Sequence, residues 1–244
     1  NRNANTTVYA CYDLITYNIT YNTNGGTNPN NAQTSYNVTT ATFNLPTPTK
    51  TGYTFAGWYT TSDFSGNNVT QITKGSTDHK EFWAKWTPIT YTINYELGEG
   101  GTNHKDNPAT YTIETATTEL QDATPNAGYS FGGWYSDSEY TNQVTQVAGG
   151  TTGNITLYAK WSAKAYTVNF DNNRGDGNTT PVTVAMGDPM PDVEIPTLHG
   201  YDFGGYWKDE TQYYNADGTS AKNWDIDAND VILVAKWTAH PYTI

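Results

Sequence analysis

The chain of 244 residues contains a single cysteine, Cys11, so no disulfide can form within it and its stability must come from packing. No apolar run approaches the roughly 20 residues that a transmembrane helix needs. The sequence begins Asn1-Arg2-Asn3, which is not the start of a secretory signal peptide. We therefore expect no membrane insertion in this segment, and we expect any export signal to lie outside it.

Basic residues are scarce, because 12 Lys and Arg face 24 Asp and Glu and leave a net charge of −12. Nucleic acids and anionic membranes repel such a chain, so we expect no nucleic-acid partner. Long aliphatic side chains are also few, whereas Asn, Thr, Gly and Tyr are abundant. This composition favours strands with polar outward faces and tight turns, and it predicts a mainly β fold with little helix.

Few side chains form a pattern suited to catalysis or metal binding. No nucleophile or carboxylate recurs beside the histidines, which fall at unrelated positions: His79, His104, His199 and His240. Residues 171–177 and 225–230 carry oxygen ligands at calcium-like spacing. The first segment occupies a hairpin turn, and the second lacks the glycine and the distal glutamate of a calcium loop. We predict no enzymatic activity, no cofactor and no metal site.

The sequence contains three copies of one unit, each opening on a tyrosine, continuing through Gly-Tyr-x-Phe-x-Gly and closing on a tryptophan. The copies open at Tyr17, Tyr91 and Tyr166, the motifs begin at Gly52, Gly128 and Gly200, and the closing residues are Trp86, Trp161 and Trp237. The opening tyrosines are 74 and 75 residues apart, beyond the roughly 20–50 residues of a typical solenoid repeat. Each copy is therefore expected to be a small domain.

Apolar and polar residues alternate along the opening and closing segments of each copy. Residues 91–96 place Tyr91, Ile93 and Tyr95 on one face, which predicts a half-buried strand. The closing segment of the second copy likewise places Leu157 and Ala159 inward. We therefore predict that the opening and closing segments are both half-buried strands.

Strict alternation along residues 52–59 places Phe55 on one face and Trp58 on the other. On this basis Trp58 and its equivalents Trp134 and Tyr206 face outward. They are candidates for stacking on a sugar ring, for covering the sheet or for filling the contact between neighbouring domains, and we favour the two packing roles. Outward lysines of the closing segments are expected to be solvated or stacked on aromatic rings: Lys85, Lys160 and Lys236.

The connection between copies has a constant length. Each closing tryptophan is followed five residues later by an opening tyrosine, and the last of these is Tyr242. Two of the connections contain a proline, Pro88 or Pro241. So short a connection leaves little freedom, and we expect successive domains to form a semi-rigid rod.

These landmarks divide the chain into repeat 1 at 15–88, repeat 2 at 89–163 and repeat 3 at 164–239. Residues 1–14 are predicted to hold the closing strand of a preceding repeat and its junction, and residues 240–244 the opening strand of a following one. Either the chain is a window on a longer array, or other subunits complete the two partial repeats. We favour the window.

The motifs Asn-Gly-Gly at 24–26, Gly-Tyr-Thr-Phe-Ala-Gly-Trp-Tyr at 52–59 and Ile-Thr-Leu-Tyr-Ala-Lys-Trp at 155–161 resemble the internalin B-type repeat, also called the Listeria-Bacteroides repeat. The resemblance covers about residues 5–244. It implies three tandem β-grasp-like domains from a secreted or surface-anchored microbial protein, in which they act as a stalk or adhesive module without catalytic residues. Repeat 3 departs from the pattern at 204–207 and carries an insertion, so its surface is expected to differ.

We therefore predict an extracellular, non-enzymatic stalk or fibre segment of a microbial surface adhesin or filament. Its partners would be neighbouring repeats of the same or identical chains. The alternative is a carbohydrate- or protein-binding adhesive module that uses the outward aromatics to contact a host or surface glycan or protein. Asn-x-Ser/Thr triplets mark candidate N-glycosylation sites: Asn5, Asn18, Asn37, Asn68, Asn154 and Asn178.

Overall fold

The computed structural model describes residues 9–11 and 13–241, and in that part of the chain every regular element is a strand. The prediction of a mainly β fold is confirmed. The β-grasp-like and rod-like parts of that prediction stay predictions. Asn5 and most of the predicted partial repeats at the two ends lie outside the described residues.

The described part of the chain divides into two compact units. The first runs to Thr92 and also includes residues 110–118 and 148–154. The second comprises residues 93–109 and 119–147 and continues from Ile155. Residues of repeat 2 therefore belong to both units.

Repeat 1 is a mixed sheet centred on its opening and closing strands. Its strands are β1 Tyr17–Asn22, β2 Ser35–Tyr36, β3 Phe43–Asn44, β4 Tyr53–Tyr59, β5 Gln71–Ile72 and β6 Lys80–Pro88. They form a sheet in the order β2-β1-β6-β4 and a separate pair, β3 with β5. The central strands β1 and β6 are parallel, whereas β2 and β4 run antiparallel to their neighbours.

Repeat 2 has the same central arrangement with more short strands. They are β7 Tyr91–Glu96, β8 Gly101–Thr102, β9 Thr110–Tyr111, β10 Thr118–Glu119, β11 Thr124–Pro125, β12 Tyr129–Tyr135, β13 Gln143–Val144, β14 Gln146–Val147 and β15 Ile155–Ala163. The main sheet has the order β13-β12-β15-β7-β9, and β8 pairs with β11 and β10 with β14. Opening strand β7 is again parallel to closing strand β15.

Repeat 3 forms one sheet in the order β17-β16-β20-β18-β19. Its strands are β16 Ala165–Asp171, β17 Val182–Ala185, β18 Tyr201–Lys208, β19 Thr211–Gln212 and β20 Val231–Ala239. Opening strand β16 and closing strand β20 are parallel neighbours at the centre. In all three repeats the opening strand and the closing strand are therefore neighbours in the middle of a sheet.

The closing strands supply the buried centre of each repeat, as their alternation predicts. The inward residues are almost fully buried: Phe82 and Ala84 in β6, Leu157 and Ala159 in β15, and Leu233 and Ala235 in β20. Burial of this apolar surface is the main stabilising contribution available to a chain without disulfides.

The prediction that Trp58, Trp134 and Tyr206 face outward is wrong, because the strands that carry them contain a β-bulge. In β4 the pairing with β6 shifts between Phe55 and Gly57, so one extra residue interrupts the alternation. The bulge turns Trp58 to the side of the sheet that already holds Phe55. The same shift follows Phe131 in β12 and Phe203 in β18.

Candidate functional site

Trp58 lies in the core of repeat 1 with 1% of its surface exposed. Its ring centroid is 5.0 Å from that of Tyr21 and 5.5 Å from that of Phe55, and its Nε1 donates a hydrogen bond of 2.7 Å to the Pro46 carbonyl. Trp134 and Tyr206 are 2% and 0% exposed. Rings covered in this way are not available to a sugar, and they belong to the repeat cores rather than to contacts between domains.

The closing tryptophan of each repeat joins the closing strand to the first turn. Trp86 Nε1 donates to the Thr23 carbonyl over 2.9 Å. Its ring lies against Gly26, where a Cβ would stand 2.4 Å from Cζ2. The corresponding donor and carbonyl pairs are Trp161 with Leu97 and Trp237 with Asn172, and the corresponding close glycines are Gly101 and Gly175. Any side chain at this turn would clash with the ring, so the position requires glycine.

The outward lysines of the closing strands lie over aromatic rings, as the sequence predicts. The Nζ-to-centroid distances are 5.3 Å from Lys85 to Tyr59, 5.3 Å from Lys160 to Tyr135 and 3.9 Å from Lys236 to Trp207. Each ammonium group can thus remain hydrated while it interacts with the ring face.

The junction between repeats 1 and 2 lies within the first compact unit and is built around Gly52. This residue has a φ of +79°, and its carbonyl accepts a hydrogen bond of 2.9 Å from the Ile89 N–H. Ile113 packs directly on it, since a Cβ at position 52 would stand 2.6 Å from Ile113 Cδ1. Both the positive φ and this close approach require glycine.

A polar contact flanks the same junction. The Tyr53 hydroxyl donates to Glu114 Oε1 over 2.9 Å, and this hydrogen bond raises the pKa of Tyr53. The carboxylate accepts this hydrogen bond only while the phenol is neutral, so the contact is present throughout the neutral pH range.

The junction between repeats 2 and 3 lies within the second compact unit and repeats this geometry. Gly128 has a φ of +81°, and its carbonyl accepts a hydrogen bond of 2.8 Å from the Lys164 N–H. A Cβ at position 128 would stand 2.4 Å from Met186 Cε. We call Gly52 and Gly128 the junction glycines, and Ile113 and Met186 the junction apolar residues.

Asp227 adds a charged contact at the second junction. Its carboxylate accepts hydrogen bonds from the Tyr166 hydroxyl and from the Gly128 N–H, and Lys164 Nζ lies 3.8 Å away. The bond from Tyr166, followed by those other partners, lowers the pKa of Asp227. Burial, followed by the contact with Asp227, raises the pKa of Tyr166 to about 12.

The junction apolar residues occupy equivalent positions, as strand register shows. Tyr91 pairs with Tyr111, and Tyr166 pairs with Val184. Ile113 and Met186 each stand two residues beyond those partners. Neither of them could be predicted from the sequence, because an isolated apolar residue in a polar turn carries no periodic signal.

Clefts border the closing tryptophans of repeats 1 and 3. The first has a volume of about 650 Å³ and is lined in part by Lys50, Tyr53 and Trp86. The second has a volume of about 390 Å³ and is lined in part by Tyr201 and Trp237. Each cleft combines aromatic rings with hydroxyl or charged groups, which is the chemistry that sugar rings contact.

The predicted glycosylation sites in the described part of the chain lie in strand β1, in a turn and in loops. Exposed asparagines are Asn18, Asn68, Asn154 and Asn178, and Asn37 is half-buried. Asn37 Oδ1 accepts hydrogen bonds from the backbone of Thr39 and Thr40. Cys11 is exposed. Attachment of sugar at these five asparagines stays a prediction.

Two carboxylates of the acidic segment 225–230, those of Asp225 and Asp227, bind other side chains of the protein. Asp225 accepts hydrogen bonds from the Tyr213 hydroxyl, at 2.5 Å, and from Lys222. Within residues 9–11 and 13–241, no group of three or more His, Cys, Asp or Glu is placed to hold a metal ion. Nor does that part of the chain form a helix long and apolar enough to cross a membrane.

These features define a tandem array of small β repeats in which each described junction uses the same packing. The Listeria-Bacteroides repeat domain matches residues 17–85, 91–160 and 166–236, and the chain belongs to this family. The resemblance to this family that its motifs indicate is thus confirmed.

The relatives of this chain are much longer than the chain itself. A "Putative Gly-rich membrane protein" of Evansella cellulosilytica is 28% identical over 98% of this chain and 26% of its own length. A "Putative membrane protein" of the same organism is 28% identical over 97% of this chain and 35% of its own length. Internalin H of Listeria monocytogenes is 31% identical over 58% of this chain and 24% of its own length. The chain therefore spans about a third or less of each relative.

Proposed function

We propose that this chain is a non-enzymatic, extracellular structural segment of a microbial surface protein, in which coupled repeats act as a stalk or fibre. The family and the names of the relatives, two membrane proteins and an internalin, support a place at the cell surface. The partners of each repeat are then its neighbours in the array. Its role is to hold other parts of the protein at a distance from the cell.

The observation that carries this proposal is the recurrence of the junction glycine. At both described junctions a buried glycine with φ near +80° meets an apolar side chain of the next repeat. A short connection alone limits the distance between two domains, whereas packing across it also limits their angle. A stalk requires that the angle between neighbouring domains be limited.

The experiment measures the distance distribution across the first junction. Spin labels at cysteines replacing the exposed Ser62 and Ser138, in a Cys11→Ser background, report on repeats 1 and 2. We expect a narrow distribution that broadens in Gly52→Ala, because the new Cβ displaces Ile113.

The matched control is Gly150→Ala. Gly150 has a φ of +82° but no heavy atom within 4 Å of its Cβ position, so this variant has the backbone strain without the junction contact. Its distribution should match the parent. A broad distribution in the parent chain would overturn the stalk, and no response to Gly52→Ala would show that this glycine does not set the angle.

A second candidate is an adhesive module that binds a glycan in the clefts beside Trp86 and Trp237. The half-buried aromatic walls of those clefts favour it, whereas Trp58, Trp134 and Tyr206 do not contribute. A glycan array probed with the purified chain tests it. Binding that Tyr201→Ser weakens, through the cleft beside Trp237, without lowering the melting temperature would support this function, and an array without binding would remove it.

A further inference from the structure

In every repeat the chain enters through the opening strand and leaves through the closing strand, and these two strands are parallel neighbours. They pair at four successive positions in each repeat: residues 19–22 with 80–83, residues 93–96 with 155–158, and residues 168–171 with 231–234. The start of one parallel strand and the end of the other lie at opposite ends of the pair. Tension along the chain therefore pulls the two strands in opposite directions along their common axis.

This direction of pulling loads the hydrogen bonds of the pair together. The hydrogen bonds of a parallel pair are evenly spaced, so none of them takes the force before its neighbours. Strands joined by a hairpin are instead drawn apart from one end, and their hydrogen bonds break one after another. A pair loaded along its axis must therefore lose several hydrogen bonds in a single step, which raises the barrier that governs forced unfolding.

Side-chain hydrogen bonds extend this pair beyond its backbone ladder at the end where both strands begin. There a backbone N–H near the start of the opening strand donates to a side chain that precedes the closing strand. The pairs are Asn18 with His79 Nδ1 at 2.8 Å, Thr92 with Asn154 Oδ1 at 3.0 Å and Thr167 with Asn229 Oδ1 at 3.4 Å. At the other end, each closing tryptophan donates to the turn that follows the opening strand. All three repeats therefore join their opening and closing strands at both ends of the pair.

One further hydrogen bond at that second end distinguishes the repeats. Asn24 Nδ2 donates to the Ala84 carbonyl over 2.8 Å, and Asn173 Nδ2 donates to the Ala235 carbonyl over 3.1 Å. Each asparagine directly follows the residue whose carbonyl binds the closing tryptophan, and in repeat 2 that place belongs to Gly98. All three residues have a φ between +47° and +58°. Repeat 2 therefore has the same backbone conformation at this position without a side chain that could donate.

We propose that each repeat is a mechanical clamp that resists tension along the surface protein, and that the turn asparagine adds to its strength. A stalk that connects a cell to its surroundings transmits tension from end to end, so this inference rests on the proposed function. The asparagine hydrogen bond joins the end of the opening strand to the closing strand, so tension must break it together with the ladder. Repeat 2, without that hydrogen bond, unfolds at the lowest force.

Single-molecule force spectroscopy of the whole chain tests the clamp. Handles at Asn1 and Ile244 load the opening and closing strands of each repeat in opposite directions. Handles at Asn1 and at a cysteine replacing the exposed Lys74, in a Cys11→Ser background, instead pull the starts of β1 and β6 apart. The two starts lie at the same end of the parallel pair, so its hydrogen bonds break in sequence. We expect an unfolding force clearly below that of each of the three events seen with handles at both ends.

The turn position allows substitutions that remove the asparagine and one that introduces it. Asn24→Gly and Asn173→Gly should each lower the unfolding force of one event. Gly98→Asn should raise the lowest force, because a Cβ at position 98 would meet nothing within 4 Å and asparagine tolerates a positive φ. Gly98→Asp is the matched control, since its side chain has the same shape but no N–H to donate. Its unfolding force should stay at that of the parent.

The direction of pulling separates a mechanical role of Asn24 from a general loss of stability. Asn24→Gly should lower the force with handles at both ends and leave it unchanged with the handle at position 74, because that pull reaches the asparagine hydrogen bond last. Equal forces in the two directions would overturn the clamp, and turn variants without effect, or Gly98→Asp acting like Gly98→Asn, would overturn the role of the asparagine.

The outcome for the clamp is independent of the outcome for the stalk. A low force in both directions, together with narrow spin-label distances across the first junction, would refute the clamp alone and leave the proposed function standing. Broad spin-label distances with a force that depends on direction would refute the semi-rigid stalk and leave a flexible chain whose repeats resist tension.

Discussion

The ring of Trp86 and the backbone of Gly26 are in direct contact, and a Cβ at position 26 would stand 2.4 Å from Cζ2 of the indole. The indole is held there by the hydrogen bond from Nε1 to the Thr23 carbonyl. It also meets Phe55 at a centroid distance of 5.5 Å. The ring therefore has little room to move away from a new methyl group.

The first prediction follows from this contact. Gly26→Ala should lower the free energy of unfolding by about 1–3 kcal/mol, the usual cost of an overpacked site. Urea denaturation followed by tryptophan fluorescence measures the loss. Gly132→Ala is the comparison, because position 132 does not have a positive φ and a Cβ there would come no closer than 3.4 Å to another heavy atom. An equal loss in both variants would show that the contact with Trp86 does not limit position 26.

The second prediction concerns the aromatic residues that alternation placed on the outside. Trp58→Ala and Trp134→Ala should each destabilise their repeat by about 3–5 kcal/mol, because a large buried side chain leaves a cavity. Trp83→Ala, at a half-buried position of β6, should cost less. The midpoints of thermal or urea unfolding decide this. A stability unchanged by Trp58→Ala would contradict its place in the core.

The wrong prediction that Trp58 faces outward has a physical cause, and the sequence carries a sign of it. Period-two alternation assumes one residue per pairing position, and a bulge breaks that assumption locally. A glycine within an aromatic strand is the signal that could have revealed it, since Gly57 has a φ of +130°. Gly133 and Gly205 also have positive φ.

The strands themselves were predictable because the alternation of each opening and closing segment is strong and repeated. Their parallel pairing at the centre of each sheet was not predictable. It depends on contacts between residues about 60 positions apart, such as Tyr21 with Phe82. The junction contacts were hidden for the same reason. Gly52 appears in a recurring motif, but the side chain that makes it necessary, Ile113, lies 61 residues away in the next repeat.

The third prediction concerns alkaline pH. Burial raises the pKa of Tyr21 and Tyr95 to about 12, and burial with the contact to Asp227 does the same for Tyr166. A raised pKa stabilises the folded chain below the unfolded value of about 10, and this contribution is lost as pH rises through about 12. Absorbance at 295 nm should show late-ionising tyrosines whose titration accompanies loss of near-ultraviolet circular dichroism. Complete ionisation near pH 10 with the fold intact would contradict it.

The fourth prediction concerns acid and the second junction. The folded-state pKa of Asp227 is lowered by the hydrogen bond from Tyr166, then by the Gly128 N–H and Lys164. A lowered pKa stabilises the folded chain above the unfolded value of about 4, and this contribution disappears as pH falls through the folded value. Asp227→Asn should therefore reduce the melting temperature at neutral pH, and the difference from the parent should shrink as pH falls below about 4.

The control for this prediction is Asp188→Asn, at an exposed position of the same repeat. It removes the same charge without the contacts to Tyr166 and Gly128, so its melting temperature should follow the parent more closely at every pH. Melting curves between pH 2 and pH 7 compare the three proteins. If Asp227→Asn differed from the parent by the same amount throughout that range, the carboxylate would owe its effect to shape rather than to charge, and the charged contact at the second junction would be refuted.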